Sequence, residues 1–425
     1  MSAGRERSNP RRRRPAREGA VVDSKRREAG VLRGVSAAVP TIELPRELLP
    51  SLAAGHPWVY RDHVPRGFHA SDGDWIGLRC GSWEGYALWD ASSAIALRVY
   101  STVRPPDDEW IERRVEEAWS LREPLRRAGT DAYRCIFGEA DSLPGITVDI
   151  YGRYAVVLTY AASVTRLLPP LARALERLGH FAGVVHRTTV SGAGASLRVL
   201  LGSSPSGPLV VVENGIRLQA DLVHGQKSGL FLDHRDNRGT VRALAAGRTV
   251  LNLFSYSGAF SVSAALGGAV GVTSVDIAPA AVQSAQENFR INGLGLEQHE
   301  FVVGDVFEFL AAAQSQGRRW GMVLCDPPSF AKSHAQKATA LKAYVKLHAA
   351  ALRVTADGGL YAAASCTSQV SPAEFIGALA AGGRQTRRRL QICHEVGQPL
   401  DHPQLAAHPE GRYLKFVVAR VGARV

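Results

Sequence analysis

Between residues 249 and 365 the chain alternates short β-branched apolar runs with helical stretches, joined only by short loops. That alternation constrains the fold more than any other feature. It predicts a doubly wound α/β unit with a parallel sheet and helices on both faces. Expected strands are 249–253, 272–276, 300–303, 322–326 and 360–365, with helices over 259–266, 279–292, 307–316 and 336–354. Pro279 suits a first helical turn and Asn292-Gly293 a helix end. Two further strands, 390–395 and 413–421, should form an antiparallel hairpin at the sheet edge, because no long helix separates them.

Upstream the patterns differ. Residues 40–103 hold short β-type runs (IELP, HPWVY, GDWIGLRC, GYALWD, IALRVYS) punctuated by glycines, which predicts a small β-rich module. Residues 104–213 read as a central α+β unit: a helix over 110–127 that Pro124 kinks or ends, a helix over 167–178, and strands near 183–186, 196–201 and 209–212. Residues 1–39 carry 11 basic and 4 acidic side chains, +7 of the chain's net +12. Such a tail buries no core and is expected to be disordered; it is either an arm for a polyanion such as RNA or a plain solvated extension. The 45% hydrophobic content of 425 residues excludes a fibrous or wholly disordered protein. No apolar run approaches the ~20 residues of a membrane span. Five cysteines without a CxxC pair argue against disulfides or a zinc ribbon. Cys393, His394, His402 and His408 fit no standard metal spacing. A cytoplasmic protein with no membrane or metal partner is expected.

In a doubly wound sheet a ligand sits outside the carboxyl ends of the strands. The first expected strand runs into VLNLFSYSGAFSV, where Ser255, Ser257 and Gly258 make a small-residue turn into a helix. The second ends at Asp276, the third at Asp305, the fourth at Asp326 in CDPPSF. One acid at a strand end is a common helix cap. Three in succession beside a Ser/Gly turn point to a nucleoside cofactor, with Asp276 on the ribose and Asp305 on the adenine.

The ordered motifs NLFSYSGAFSV, SVDIAPAAVQSAQENFRING, GDVFEFL, CDPPSFAKS and ASCTS resemble those of class I S-adenosylmethionine-dependent methyltransferases, whose domain is a Rossmann-like seven-stranded sheet. HGQKSGLFLDHRDNR, GEADSLPGITVDIYG, DHPQLAAHPEGRYLKFVVARV and HPWVY in a β module resemble the PUA-containing 23S rRNA cytosine-5 methyltransferases. The resemblance covers residues 41–425. It implies a PUA-like RNA-binding domain (40–103), a central domain (104–213) and a methyltransferase domain (214–425), with S-adenosylmethionine as cofactor and ribosomal RNA as partner. It leaves room for a homodimer. It further implies that Phe231, Asp233 and Arg235 cover the cofactor, that Asn252, Phe254, Ser255 and Gly258 line its methionine end, and that Asp326, Pro327 and Pro328 face the target base.

Cys366 would be the nucleophile. Carbon 5 of cytosine is too weakly nucleophilic to attack a sulfonium methyl unaided, and a thiolate adding at carbon 6 makes it reactive. By composition alone Cys366 reads as core; its place at the end of the fifth strand favours the chemical role. Cys325 precedes Asp326 within a strand, so its side chain should face the core. Glu410 is a candidate base, with a surface turn as its other reading. DPPSFAKS and GLFLDHR also resemble the related 7-methylguanosine methyltransferases, whose chemistry needs no cysteine, and that alternative stays open. So do methyl transfer to another substrate and a non-catalytic RNA-binding relic; the intact set of acids counts against the relic.

Overall fold

A computed structural model describes residues 39–424 apart from 180, 191–193, 224–229 and 332. The basic tail and the whole of HGQKSG therefore lie outside the described residues.

Strands β1 (Thr41–Glu43), β2 (Trp58–Tyr60), β3 (Trp75–Cys80), β4 (Trp83–Trp89) and β5 (Ile95–Ser101), with a short helix α1 (Leu49–Ala53), form the first unit. Its sheet order is β1-β3-β4-β5-β2, closed over Val59, Ile76, Leu78 and Leu97. Gly81, at φ +59°, makes the two-residue turn of the β3–β4 hairpin, a backbone region closed to most side chains.

Helix α2 (Asp108–Leu121) starts where Asp107 accepts from the Trp110 amide, and α3 (Glu123–Arg127) restarts with Pro124 in its first turn. Strands β6 (Ala132–Phe137), β7 (Ile146–Tyr151), β8 (Tyr154–Thr159), β9 (Gly183–Val190) and β10 (Gly194–Gly202) form a second sheet with α4 (Leu168–Leu178) crossing between β8 and β9. The run near 209 was expected to complete this unit. Instead β11 (Leu209–Glu213) pairs only with β12 (Ile216–Ala220). Asn214 and Gly215, both at positive φ, form the turn, and the hairpin buries Val211 and Leu218 against the core that holds Val250 and Met322.

The large sheet contains β13 (Thr249–Leu253), β14 (Gly271–Asp276), β15 (Glu300–Val303), β16 (Trp320–Cys325), β17 (Thr355–Cys366), β18 (Arg388–Val396) and β19 (Leu414–Arg424). Its order is β15-β14-β13-β16-β17-β19-β18. Strands β13 to β17 are parallel, and β19 runs antiparallel to both β17 and β18. Helices α5 (Arg235–Leu244), α6 (Ala259–Leu266), α7 (Pro279–Ile291), α8 (Val306–Ser315), α9 (Lys337–Val354) and α10 (Pro372–Thr386) pack on it. Alternate strand residues feed two cores: Val250, Met322 and Ala362 on one face, Leu251, Val323 and Ala363 on the other. This is the Rossmann-like seven-stranded sheet expected from the sequence. The chain order reverses between β13 and β16, and the carboxyl ends beside such a switch point are where a doubly wound sheet takes its ligand.

Helices α5 and α10 are not among those expected from the sequence. In α10 three glycines (377, 382, 383) mask the helical pattern. Gly382 has a packing reason: a Cβ there would lie 2.8 Å from the His348 Cβ and 3.1 Å from the Ala349 amide on α9.

Candidate active site

The loop after β13 is bent back on itself, with Phe254, Tyr256 and Gly258 all at positive φ. Asp276, at the end of β14, stabilises the bend by accepting from the Tyr256 amide at 2.8 Å and the Ala278 amide at 2.9 Å. A Cβ at Gly258 would sit 2.6 Å from that of Ala285, so only glycine lets the loop meet α7. The hydroxyls of Ser255 and Ser257 are buried and, among the described residues, have no hydrogen-bond partner. Unsatisfied buried hydroxyls cost free energy, so the loop is complementary to a polar ligand group. Phe231 packs its ring against Tyr256 at 5.3 Å, and Ile277, 69% exposed, offers an apolar surface next to Asp276. Asp305 caps α8, accepting from the amides of Phe307 and Glu308 through one carboxylate oxygen. Buried unpartnered hydroxyls, a strand-end acid and an exposed apolar side chain fit a nucleoside carrying an amino-acid tail.

Two expected cofactor residues lie elsewhere. Asn252 is buried and donates to Ser261 Oγ within the core, bracing β13 against α6. Arg235 has no exposed side-chain surface; it donates bidentately to Asp401 at 2.7 and 2.9 Å and also meets Asp236. The Arg235 guanidinium is therefore engaged inside the protein, and Asn252 spends one amide hydrogen on the core. Phe254 is half-buried and packs beside the core that holds Leu253 and Val306.

A second group gathers beyond β16 and β17. Asp326 is partly exposed, and His234 Nε2 lies 3.3 Å from its carboxylate. The other ring nitrogen of His234 lies 2.9 Å from the Asn237 amide. Burial alone would depress the His234 pKa, but Asp326, with Asp233 behind it, outweighs burial and raises it. Pro327 is buried and Pro328 exposed. Cys366 ends β17 half-exposed, while the preceding residues 360–365 are buried. The next residue, Thr367, donates to the Ala331 carbonyl at 2.9 Å, and Ser329 donates to the same oxygen at 3.0 Å. The Cys366 turn and the Asp326 loop are thus tied together. Burial pushes the Cys325 thiol up to about 12, which makes it inert core. Tyr413 donates to Asp233 at 2.7 Å, and Lys415 hydrogen-bonds to the backbone of the turn after Cys366. His234, Tyr413 and Lys415 lie in motifs quoted above, yet nothing in their spacing marked them as part of this group.

The segment between β18 and β19 reaches back to the other units. Asp401 accepts from Arg235 and from the Arg134 amide, and Arg122, paired with Asp141, donates to its carbonyl. His408 packs 4.3 Å from the ring of Trp58, whose indole donates to Glu139 at 3.0 Å. Glu410, the sequence candidate for a base, lies 3.5 Å from His56 and 3.8 Å from His408, which gives it a joining role. Among the described residues no cluster of three or more His, Cys, Asp or Glu could hold a metal, and no helix is long and apolar enough to cross a membrane.

Comparison with known proteins agrees with this geometry. A family model for S-adenosylmethionine-dependent methyltransferases matches residues 180–385, and one for PUA-like domains matches residues 42–102. A ribosomal RNA large subunit methyltransferase I of Erwinia tasmaniensis is 35% identical over 383 residues, covering 87% of this chain and 96% of that protein. Its namesake in Klebsiella pneumoniae is 33% identical over 393 residues, covering 90% and 98%. Among solved structures, a methyltransferase crystallised with SAH is 25% identical with a TM-score of 0.80, covering 90% of this chain and all of that one. A structure assigned as a SAM-dependent methyltransferase from Streptococcus mutans, 24% identical, shares the fold at a TM-score of 0.79 with the same coverage. With relatives this similar matched over nearly their whole length, the chain belongs to the ribosomal RNA large subunit methyltransferase I family, and it is an S-adenosylmethionine-dependent methyltransferase with a PUA-like N-terminal domain.

Proposed function

We propose that the protein methylates carbon 5 of a cytosine in large-subunit ribosomal RNA, and that Cys366 attacks the base. One observation carries the reading: a cysteine that is not fully buried at the carboxyl end of β17, in a turn hydrogen-bonded to the loop of Asp326. The substrate class follows from the relatives, which are named for ribosomal RNA of the large subunit. Work on ribosomal RNA makes the cytoplasm its place of action.

S-adenosylmethionine supplies an electrophilic methyl group. Asp276 is assigned to its ribose hydroxyls, Asp305 to its adenine, and the Ser255–Gly258 turn, overlain by Phe231, to its amino-acid end. Asp326, oriented by His234, holds the edge nitrogens of the cytosine. The Cys366 thiolate bonds to carbon 6, and the electron pair of the 5,6 double bond moves to make carbon 5 nucleophilic. After carbon 5 gains its methyl, a base removes its proton, the double bond re-forms and the thiolate leaves. The PUA-like sheet is assigned to holding RNA.

Cys366→Ala should abolish methyl transfer to unmodified rRNA while calorimetric affinity for S-adenosylmethionine stays near wild type. Wild-type protein given RNA with 5-fluorocytosine at the target should form an adduct that survives a denaturing gel, because fluorine cannot leave as a proton. Full activity in the alanine variant without an adduct in the wild type, or labelled 7-methylguanosine as the product, would overturn the cytosine reading.

A further inference from the structure

Lys415 is the second residue of β19 and is only 4% exposed. Its ammonium donates to the carbonyls of Thr367, Val370 at 2.9 Å and Tyr413 at 2.9 Å. Three donors meet three acceptors, but every acceptor is neutral. Among the described residues no carboxylate forms an ion pair with it; Glu374, which acts on it from α10, is engaged by Lys337 at 2.6 Å. A buried charge ordinarily has a paired counter-charge, because leaving water is costly. Two of the carbonyls it holds belong to the turn directly after Cys366.

We propose that Lys415 is a positioning residue for Cys366: its buried ammonium fixes the turn after the thiol and supplies the positive field that favours the thiolate. The proposal rests on the reading of Cys366 as nucleophile and deepens it. Among the described residues, Tyr344 from α9 and Tyr413 ahead of β19 also act on the thiol, and Asp326, with its partner His234, lies on the loop tied to the same turn. Burial pushes the Tyr344 phenol up to about 12 and the Tyr413 phenol up as well, so both are neutral near pH 7. His234 is set against the Asp326 carboxylate. Lys415 is the cation bonded to the Cys366 turn itself. Burial lowers its pKa to about 8, against the opposite pull of Cys366 and Glu374, so it is still largely charged at neutral pH. Coupling of this kind is mutual: an ammonium that stabilises the thiolate is stabilised by it.

The test is the rate of Cys366 alkylation by iodoacetamide against pH, followed by peptide mass spectrometry on the full chain. Exposed Cys393 serves as internal reference. Lys415→Gln should move the Cys366 inflection up by about one unit, a roughly tenfold slower reaction at pH 7. Lys415→Arg should restore most of the rate, and Cys393 should respond to neither. A second measurement needs no variant: in wild type the ratio of iodoacetate to iodoacetamide rates should be severalfold higher at Cys366 than at Cys393, because a local cation attracts the anionic reagent. An unshifted inflection in a folded Lys415→Gln chain, or a wild-type ratio no higher than at Cys393, would overturn the proposal. Alkylation reads the thiol whether or not it attacks a base. A shifted inflection beside a fully active Cys366→Ala would therefore sink the nucleophile reading and leave the electrostatic one standing.

Discussion

Asp401 has no exposed surface and is nevertheless an ion, held by the Arg235 guanidinium and by His402 at 3.1 Å. Burial works against its charge, but His402 and Arg235 outweigh burial and hold its carboxyl well below the usual carboxylate range. Removing one member of a buried pair strands the other. Asp401→Asn should therefore cost about 3–5 kcal/mol at neutral pH, readable as a lower unfolding midpoint. The sign of the pH effect follows from a depressed folded pKa. The stabilisation is complete above the unfolded value near 4 and is lost as pH falls toward the folded value, so wild type should lose its advantage over the variant progressively below about pH 4. Equal stability of the two proteins at pH 7 would remove Asp401 from the framework. The same reasoning explains why Arg235 is not a cofactor ligand: its charge is already neutralised where no ligand reaches.

At the scale of elements, the Cys366 turn is bounded by β17, α10 and β19. Insertion of β19 between β17 and β18 brings Lys415 beside this turn, although 48 residues separate Lys415 from Thr367 in the chain. Helix α10 begins immediately after the turn with a capping box: Ser371 Oγ accepts from the Glu374 amide, and the Glu374 carboxylate accepts from the Ser371 amide. Ser371→Ala should cost about 1 kcal/mol, measured as a fall in the unfolding midpoint. Lys337 first, and then Ser371, hold the Glu374 pKa down to about 2. That carboxylate's contribution is complete above its ordinary value of 4.5 and fades as pH drops toward 2, so the penalty of Ser371→Ala should shrink at pH 3. An equal penalty at pH 7 and pH 3 would assign the whole effect to the Ser371 hydroxyl.

Across the whole molecule, three units meet at one small cluster. Trp58 comes from the first sheet, Glu139 follows β6, and His408 and Glu410 precede β19. An aromatic contact and a part-buried hydrogen bond at this junction add to the core that Trp75, Leu88 and Tyr100 of the first sheet share with Ile111 and Tyr133 of the central unit. Trp58→Ala should loosen the first sheet from the rest. Limited proteolysis should cut faster in the linker 102–107, and the KM for RNA should rise while S-adenosylmethionine affinity holds. Unchanged cleavage and KM would mean that the units are held together elsewhere.

Strand and helix alternation was legible in the sequence from residue 249 to 365 because each strand is a short apolar run, three of the five followed by an acid, and local pattern suffices for that. The ends of those strands were legible for the same reason, so Asp276, Asp305, Asp326 and Cys366 all fall at carboxyl ends in the fold. Pairing between distant segments was not legible. The hairpin of β11 and β12 reads locally as part of the central unit, and contacts distant in the chain decide where it packs: Arg217 and Gln219 donate to Asn292 and Asn288 of the α7 region, and Val212 donates to Asp131. Arg235 and Asn252 read as ligands because they sit in cofactor motifs; Asp401 and Ser261, which no spacing rule links to them, claim their donors. The same holds for Lys415, an ordinary lysine in LKFVVARV until β19 pairs with β17 and buries its ammonium against the Cys366 turn. Local chemistry sets which residues end each strand, while burial and charge pairing across the fold decide which of them keep an atom free for a ligand.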